Sequence, residues 1–302
     1  MSVQAQIWEA GRRRRAWLAP LLLLALLVVA LYAPVLRGLV RQWWQEPDYG
    51  HGFFVPLFAG YVLWRERVRL QKLALEPANS GLLVMLAAVG LLLAGSLGAE
   101  LFVSRFSLLL LLAGMTLYLA GRKMLRAVAF PLGFLVLMIP LPAILYYQLT
   151  FPLQLLASRA AEASLDLLRV PVVREGNLLF LPNYTLEVVE ACSGVRSLLS
   201  LAALAIGYGY LLESRVWARL ALLLFVVPIA VLTNALRVVA TGLLTHFYGP
   251  QAADSFLHLF SGWLTFVVAL GLLLLVHSVL RRFRLPGAVS YTHLRAHETV
   301  LD

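Results

Sequence analysis

Residues 217–244 read WARLALLLFVVPIAVLTNALRVVATGLL, and this stretch decides the class of fold. It exceeds the length of about 20 apolar residues with which an α-helix crosses a bilayer. Of the 302 residues in the chain, 61% are hydrophobic and only 13% are charged, whereas about 25% are charged in a soluble domain. A soluble fold could not bury that much apolar surface. The sequence therefore excludes soluble enzymes, disordered chains and collagen-like chains, and it predicts an all-α polytopic membrane protein.

Seven further apolar segments raise the prediction to about eight transmembrane helices. They lie at residues 17–36, 53–64, 81–99, 101–120, 127–148, 194–212 and 256–280. The segment 53–64 is too short to span alone, so it either borrows flanking residues or packs within the bundle. Because proline interrupts helices, we expect Pro131, Pro140 and Pro142 to kink the fifth helix and Pro228 to kink the seventh.

The basic residues predict how these helices are oriented. Eight spans place 16 of the 25 Lys and Arg residues on one side, at positions 12–15, 65, 67, 69, 72, 122, 123, 126, 215, 219, 281, 282 and 284. The other side receives six, at positions 37, 41, 105, 159, 169 and 174. Because cytoplasmic loops are enriched in Lys and Arg, we predict a cytoplasmic (inner) membrane protein with both termini in the cytoplasm. These short clusters also account for the net charge of +10, so we predict the lipid bilayer, and no nucleic acid, as a partner.

Residues 150–191 form a long segment that is predicted to lie outside the cytoplasm. In its first part, residues 153–168, Arg159, Glu162 and Asp166 lie among leucines at helical spacing, which predicts a small amphipathic helix at the membrane surface. Its second part, VVREGNLLFLPNYTLEVV, places Gly-Asn and Pro-Asn pairs among residues that favour β-strands. This pattern predicts a small extracytoplasmic hairpin.

The chain changes character at its C-terminal end. Residues 288–302 are polar and resemble vector-derived sequence, so we separate them from an integral-membrane domain over residues 1–287. His293 and His297 lie four residues apart beside Glu298, but no further ligands are near, so no metal site is predicted. The single cysteine excludes an intrachain disulfide and a cysteine-based metal cluster. No cofactor is predicted.

That cysteine, Cys192, lies in EACSGVRS, where the predicted hairpin meets the sixth helix. A helix N-terminus lowers the pKa of a thiol, and Arg196 adds positive charge one turn further on. The position therefore suits a nucleophilic thiolate. The alternative is that Cys192 is a small buried hydrophobic residue.

Arg237 lies inside the apolar helix predicted over residues 217–244, and Asn234 lies one turn before it. An arginine within a membrane costs several kcal/mol unless it faces a polar interior, so a functional role is the first hypothesis. Asn234 on the same face favours an inward orientation. The alternative is an arginine that snorkels to the outer interface.

His258 lies at the start of the last helix, in DSFLHLFSGW. The eight-span prediction places it toward the outer side, together with Cys192 and Arg237. Thiol, guanidinium and imidazole can supply a nucleophile, an oxyanion donor and a proton shuttle. Sequence position alone does not show that the three meet in space.

Three further residues are secondary candidates. His51, in PDYGHG near Asp48, could shape a substrate groove or act in catalysis, or it could be an interfacial loop residue. Glu187 and Glu190 precede the cysteine. They could orient His258 or hold an acceptor amine, or they could be solvated charges of the hairpin.

Five motifs together resemble one family. EACSGVRS, PIAVLTNALRV, HLFSGW, PDYGHGFFVPL and FPLGFLVLMIPLP are similar to segments of the exosortase/archaeosortase membrane transpeptidases. They follow the family's order and cover roughly residues 43–275. On this resemblance Cys192 corresponds to the proposed nucleophile, Arg237 to the family's arginine and His258 to its histidine.

The resemblance implies a membrane-embedded cysteine protease or transpeptidase that cleaves the C-terminal sorting signal of exported proteins at the outer face of the membrane. Such a signal combines a short motif (Pro-Glu-Pro in the commonest version), a transmembrane helix and a basic cluster. The acyl-enzyme would pass to an amine acceptor, or to water in a protease. The rival from another class is a non-enzymatic transporter or polysaccharide-export subunit that uses Arg237 and Asn234 as its substrate site.

Overall fold

The computed structural model describes residues 3–182, 184–188, 194–249 and 256–282. The chain divides into two compact units. Unit 1 comprises residues 1–154 and 189–203, and unit 2 comprises residues 155–188 and 204–302. The predicted polar tail, with His293, His297 and Glu298, lies outside the described residues and stays a prediction.

Unit 1 consists mainly of helices, because a helix satisfies its backbone polar groups within one apolar segment. Its helices are α1 (Val3–Gln45), α2 (Phe54–Arg65), α3 (Arg67–Gln71), α4 (Ser80–Leu97), α5 (Leu101–Ala127), α6 (Ala129–Phe134) and the first half of α7 (Ala143–Leu167). Two 3-10 helices join them, the first at Pro47–Phe53 and the second at Leu135–Met138. The first turns of α8 (Val195–Leu212) also belong to this unit.

Helices α4 and α5 pack closely against each other. Gly81 in α4 lies so near α5 that a Cβ atom there would collide with the backbone of Tyr118. Membrane helices commonly approach through such small residues. Beside this pair, the Tyr32 hydroxyl of α1 lies 3.0 Å from Ser107 Oγ of α5. Tyr32 also packs in a buried cluster with Ala88, Leu92, Leu108 and Leu111.

The segment from the first 3-10 helix to α3 runs from one end of α5 toward the other. Before this segment begins, Gln42 Oε1 accepts a hydrogen bond from Arg105 at 2.6 Å. After it ends, the Glu76 backbone N–H donates to Ala120 O at 3.3 Å. Arg105 and Ala120 lie about 22 Å apart along α5, at 1.5 Å per residue. The segment that contains the 12-residue α2 therefore runs along most of α5. This course agrees with the alternative in which the segment 53–64 borrows flanking residues to span.

The predicted fifth span, residues 127–148, is not one helix. It breaks at residues 139–142, and α7 follows at an angle of 74° to the helical segment before it. Pro140 and Pro142 lie in this break, as expected of residues without a backbone N–H, whereas Pro131 lies inside α6. Helix α7 then continues through the region predicted as a separate amphipathic helix, so that helix begins earlier than predicted.

Unit 2 contains the remainder of α7 and α8, two long helices and a small sheet. The helices are α9 (Val216–Tyr248) and α10 (Phe256–Arg282). The strands β1 (Val173–Glu175), β2 (Leu178–Leu181) and β3 (Tyr184–Glu187) pair antiparallel in the order β1-β2-β3. The predicted hairpin is thus present and is extended by one strand. Gly176 takes a φ of +63° between β1 and β2, as the Gly-Asn pair predicts.

A buried polar cluster that the sequence analysis did not single out joins α8 to α10 within unit 2. The Tyr208 hydroxyl lies 2.7 Å from His277 Nδ1, and Glu213 Oε2 lies 3.5 Å from His277 Nε2. His277 is only 4% exposed. Buried polar groups persist where they find such partners, so the cluster fastens the end of α8 to the last turns of α10.

Six helices in the described residues are long and apolar enough to cross a membrane, and the bent pair that ends in α7 gives a seventh candidate. The predicted all-α polytopic membrane fold is confirmed. The count is one below the predicted eight because α2 is too short to qualify by its own length.

Candidate active site

The PDYGHGF segment, which forms the first 3-10 helix, fastens the end of α1 to the second 3-10 helix. Gly52 lets the Trp43 indole lie against it, since a Cβ atom there would collide with the ring. The indole N–H donates to Met138 O at 2.9 Å, and His51 Nε2 donates to Leu137 O at 3.1 Å. Two side chains thus hold the chain just before the break at residues 139–142.

The surroundings of His51 favour a role in shaping the site. One ring nitrogen is committed to the Leu137 carbonyl, and the backbone carbonyl of Asp48 also lies near the ring. Burial lowers the pKa of His51, and these two carbonyls offset this effect only in part. The imidazole is therefore neutral at neutral pH. A neutral ring that binds a backbone carbonyl is better suited to hold the wall of a groove than to carry protons.

Asp48 joins the first 3-10 helix to the starts of α7 and α8. Arg196 Nε donates to Asp48 Oδ1 at 2.8 Å, and the Tyr146 hydroxyl donates to Asp48 Oδ2 at 2.6 Å. Both carboxylate oxygens are therefore engaged in charge-assisted hydrogen bonds. The Arg196 side chain is 38% exposed and that of Asp48 is 18% exposed, so water partly screens the pair.

Gly194 sets the start of α8. Its φ of +82° lies in the left-handed region, which glycine adopts without steric cost. Its carbonyl accepts a hydrogen bond from the Leu198 N–H at 2.9 Å and so opens the helix. Arg196 follows in the first turn. Cys192 and Glu190, which precede this glycine in the sequence, lie outside the described residues.

A cavity of about 620 Å³ opens beside the Asp48–Arg196 pair, entirely within unit 1. Aromatic rings, prolines and charged groups all contribute to its walls. They include Phe102, Tyr49, Tyr146, Tyr147, Pro140, Pro142, Glu46, Glu100 and Arg105. Ligand sites usually occupy about 300–1,000 Å³ and combine apolar walls with a few polar groups. This cavity is therefore a candidate substrate site.

Arg105 is a residue of this cavity whose position was predicted wrongly. Its charge was assigned to the outer side as if it lay between spans, but it lies one turn inside α5 and is 5% exposed. Its hydrogen bond to Gln42 holds the guanidinium at the cavity wall. The signal was an arginine within the apolar run that begins at residue 101, and counting charges between spans could not separate it from a loop charge.

Two tyrosine rings form one wall of the cavity. Tyr49 and Tyr146 lie with their ring centres 6.2 Å apart. Burial, together with the nearby carboxylates of Glu46 and Asp48, raises the pKa of Tyr49 to about 12. The Tyr49 hydroxyl therefore stays protonated at physiological pH and cannot serve as a base.

Unit 2 carries the pair of polar residues on α9. Asn234 is 2% exposed and Arg237 is half-buried. Both residues interact with other groups of the protein. The Arg237 carbonyl accepts a hydrogen bond from Thr241 Oγ1 at 2.9 Å. The burial of Asn234 agrees with the expectation that this face of the helix points inward.

The remaining candidates are only partly described. His258 belongs to α10, but its side chain lies outside the described part of the structure. Glu187 is the last residue of β3 and is exposed, which agrees with a solvated charge. His51 thus lies in the first 3-10 helix of unit 1, and Arg196 contacts the same helix through Asp48. The meeting of Cys192 with Arg237 and His258 stays a prediction.

Fold and site together define a class, a multi-pass membrane protein with an aromatic-lined polar cavity in its first unit. Within the described ranges, no group of three or more His, Cys, Asp or Glu could hold a metal ion. A family model described as transmembrane exosortase matches residues 43–275. The chain belongs to the transmembrane exosortase family, which supports a membrane transpeptidase-like role. Comparisons with curated proteins and with solved structures give no match.

Proposed function

We propose that the protein is a cysteine transpeptidase that cleaves the C-terminal sorting signal of exported proteins at the outer face of the cytoplasmic membrane. One observation carries the proposal: in a chain of the exosortase family, EACSGVRS leads into a helix whose first turn is held beside a cavity by the Asp48–Arg196 pair. This segment holds the chain's single thiol, Cys192.

The position of the thiol in the sequence supports its role as nucleophile. Cys192 precedes Gly194 by two residues, and two residues of chain span at most about 7 Å. The cysteine is therefore tethered close to the N-terminus of α8. The helix dipole favours the thiolate there, and the thiolate is the reactive form, whereas Asp48 largely balances the charge of Arg196.

The proposed reaction has two steps. The Cys192 thiolate attacks a peptide carbonyl carbon of the sorting signal, and Arg237 donates hydrogen bonds to the oxyanion that forms. The tetrahedral intermediate then breaks its C–N bond, and His258 gives a proton to the leaving amine. An amine acceptor attacks the resulting thioester, gives its proton to His258 and releases the thiolate, so that both side chains return to their starting states. Water in place of the amine would give hydrolysis.

The substrate follows from the same proposal. It is an exported protein whose C-terminal signal carries a short motif, a transmembrane helix and a basic cluster. The basic cluster would hold the end of the substrate helix in the cytoplasm, as it does for other membrane helices. Cleavage on the outer side would then free the exported domain from its helix.

Co-expression with a tagged substrate of this type tests the proposal. We expect Cys192→Ala to abolish processing while the protein still accumulates in the membrane, and Cys192→Ser to retain little or none, because a hydroxyl is a weaker nucleophile without a tuned base. The mass of the new C-terminus separates an acceptor adduct from a free carboxylate. Normal processing by Cys192→Ala would refute the enzyme and favour a non-enzymatic membrane subunit.

A further inference from the structure

Arg105 carries a buried charge to which the described residues offer few partners. A guanidinium has five N–H donors, and this one makes a single hydrogen bond within the described part of the chain, to Gln42 Oε1 at 2.6 Å. No carboxylate in the same part of the chain lies within 4.0 Å of the guanidinium. The Glu46 carboxylate interacts with it electrostatically from a greater distance. The residue is nevertheless only 5% exposed.

The remaining donors of Arg105 are not among the buried side-chain atoms of the described residues that lack a partner, so they retain access to solvent or to a ligand. Burying a charge without hydrogen-bond partners is costly, and an arginine in an apolar helix typically faces a polar interior or a ligand path. Arg105 lines the 620 Å³ cavity of unit 1, so its remaining donors meet whatever occupies that space. The cavity therefore presents a buried cationic fork to its occupant.

The walls indicate the shape of that occupant. Phe102, Tyr49, Tyr146 and Tyr147 line the cavity. Grooves lined by aromatic rings bind extended, proline-rich peptide segments in the polyproline II conformation. Tyr49 contributes a protonated hydroxyl as a further donor beside Arg105. An extended peptide with one acidic side chain fits these walls.

The charges near the entrance favour a single carboxylate over a lipid phosphate. Glu46 and Glu100 are exposed residues of the cavity lining. Like charges repel, so the two carboxylates oppose every anionic ligand, and they oppose a lipid surface with many phosphates more than a single carboxylate. A carboxylate that reaches Arg105 presents two oxygens that match its planar fork.

We propose that this cavity binds the extended motif of the sorting signal and that Arg105 receives a carboxylate of that motif. Arg105 is then a specificity-determining residue of the transpeptidase. The inference rests on the function proposed above, because it takes the sorting signal as the ligand.

A processing experiment measures the specificity. With a tagged substrate that carries a Pro-Glu-Pro motif, we expect Arg105→Gln to lower kcat/KM by about 10–100-fold, mainly through KM, because hydrogen bonds to charged groups are worth that ratio. Replacing the motif glutamate by glutamine should cause a similar loss, and the two changes together should cause little more than either. Arg41→Gln is the matched control, because Arg41 is exposed, donates a hydrogen bond to Gln45 Oε1 at 3.1 Å and does not line the cavity.

A crosslinking experiment measures binding without catalysis. The chain has one cysteine, so Cys192→Ala provides a cysteine-free background. In that background, Tyr147→Cys places a thiol at the cavity and Trp44→Cys places one on an exposed part of α1 outside it. With a substrate cysteine beside the motif, we expect a disulfide from position 147 only, and a yield that falls at least fivefold with Arg105→Gln.

The outcomes are distinguishable. Equal crosslinking from both positions, or a yield that Arg105→Gln leaves unchanged, overturns the inference even if Cys192→Ala abolishes processing. Processing that survives Cys192→Ala refutes the proposed function, whereas the crosslink remains interpretable. If Arg105→Gln instead removes a thermal stabilisation that phosphatidylglycerol vesicles give to the protein and leaves the crosslink intact, the cavity binds lipid phosphate and the inference is wrong.

Discussion

Asp48→Asn removes the charge that holds the starts of α7 and α8 together. We expect it to lower both the free energy of unfolding and the rate of processing. The reason is geometric: one carboxylate oxygen accepts from Arg196 Nε at 2.8 Å and the other from the Tyr146 hydroxyl at 2.6 Å. An amide carries no charge and offers only one acceptor oxygen, so the first turn of α8 loses its electrostatic tie.

The geometry also sets the size of the effect. Hydrogen bonds to charged groups contribute about 1.5–3 kcal/mol, and exposed ion pairs contribute about 0.2–1 kcal/mol. The Asp48 side chain is 18% exposed, but that of Arg196 is 38% exposed, so solvent screening lowers the estimate. We expect a loss of about 1–2 kcal/mol, which corresponds to a factor of about 5–30 in an equilibrium constant.

A double-mutant cycle isolates the contribution of the pair. The four proteins are wild type, Asp48→Asn, Arg196→Gln and the double variant, and thermal unfolding in detergent gives the free energies. We expect a coupling of about 1 kcal/mol between the two sites, because either single change already breaks the ion pair. Arg196→Lys keeps the charge and should lose less than Arg196→Gln. Tyr146→Phe tests the second hydrogen bond alone.

Additivity would contradict this reasoning. If the two single losses add to the double loss within about 0.3–0.5 kcal/mol, the two residues do not act as a pair. Another contact would then hold α8. Processing gives an independent check, since a purely structural pair would change the amount of folded protein without changing the rate per folded molecule.

Four further predictions follow from single residues. Arg237→Lys loses about 10²–10³ of the processing rate if the planar fork binds the oxyanion, and near-normal turnover would leave it an electrostatic role. His51→Gln keeps a donor for Leu137 but removes a group whose pKa is lowered in the folded protein. The stability of the wild type should therefore fall as the pH drops below about 6.5, because the unfolded state binds the proton more readily. Thermal unfolding at several pH values should show a smaller pH dependence in the variant. Gly194→Ala strains a φ of +82° and should cost about 1–2 kcal/mol of stability, measured by the same unfolding assay. A reporter enzyme that is active only outside the cytoplasm should be active when fused after Asn183. Activity of a reporter that works only in the cytoplasm would show that the predicted orientation is inverted.

The helices were predictable because each depends mainly on its own residues. The apolar runs at 81–99, 194–212 and 217–244 become α4, α8 and α9 with ends shifted by at most a few residues. The β1–β2 turn was equally local, since a glycine followed by asparagine favours the positive φ found at Gly176. Local preference decides such elements before any tertiary contact forms.

The bend before α7 shows where local patterns are insufficient. Pro140 and Pro142 predict a break, because each lacks an N–H. They do not predict its angle of 74°, which depends on contacts made by other segments. The carbonyls of Leu137 and Met138 just before the break bind His51 and Trp43, which lie far away in the sequence. No periodicity within residues 127–148 contains that information.

The site shows the same division. The motif PDYGHG marked His51 as a candidate, yet its function in the structure comes from Leu137 O, 86 residues away in the sequence. Arg105 was counted only as a charge of the outer side, because nothing in the apolar run at 101–120 marks it as a site residue. What distinguishes Arg105 is a cavity built from four separate segments, and that cavity exists only after the chain has folded.

The short α2 connects the fold to the predicted orientation. Its 12 residues are about 18 Å long, less than the hydrocarbon thickness of about 30 Å, so length alone argues against a crossing. The contacts argue for one, because the chain before α2 meets α5 at Arg105 and the chain after α3 meets it at Ala120. The number of crossings before α4 therefore keeps the parity that eight spans require, although α2 by itself is no complete transmembrane helix. Placing both termini in the cytoplasm stays a prediction from the split of basic residues, and it also requires the bent pair that ends in α7 to cross the membrane.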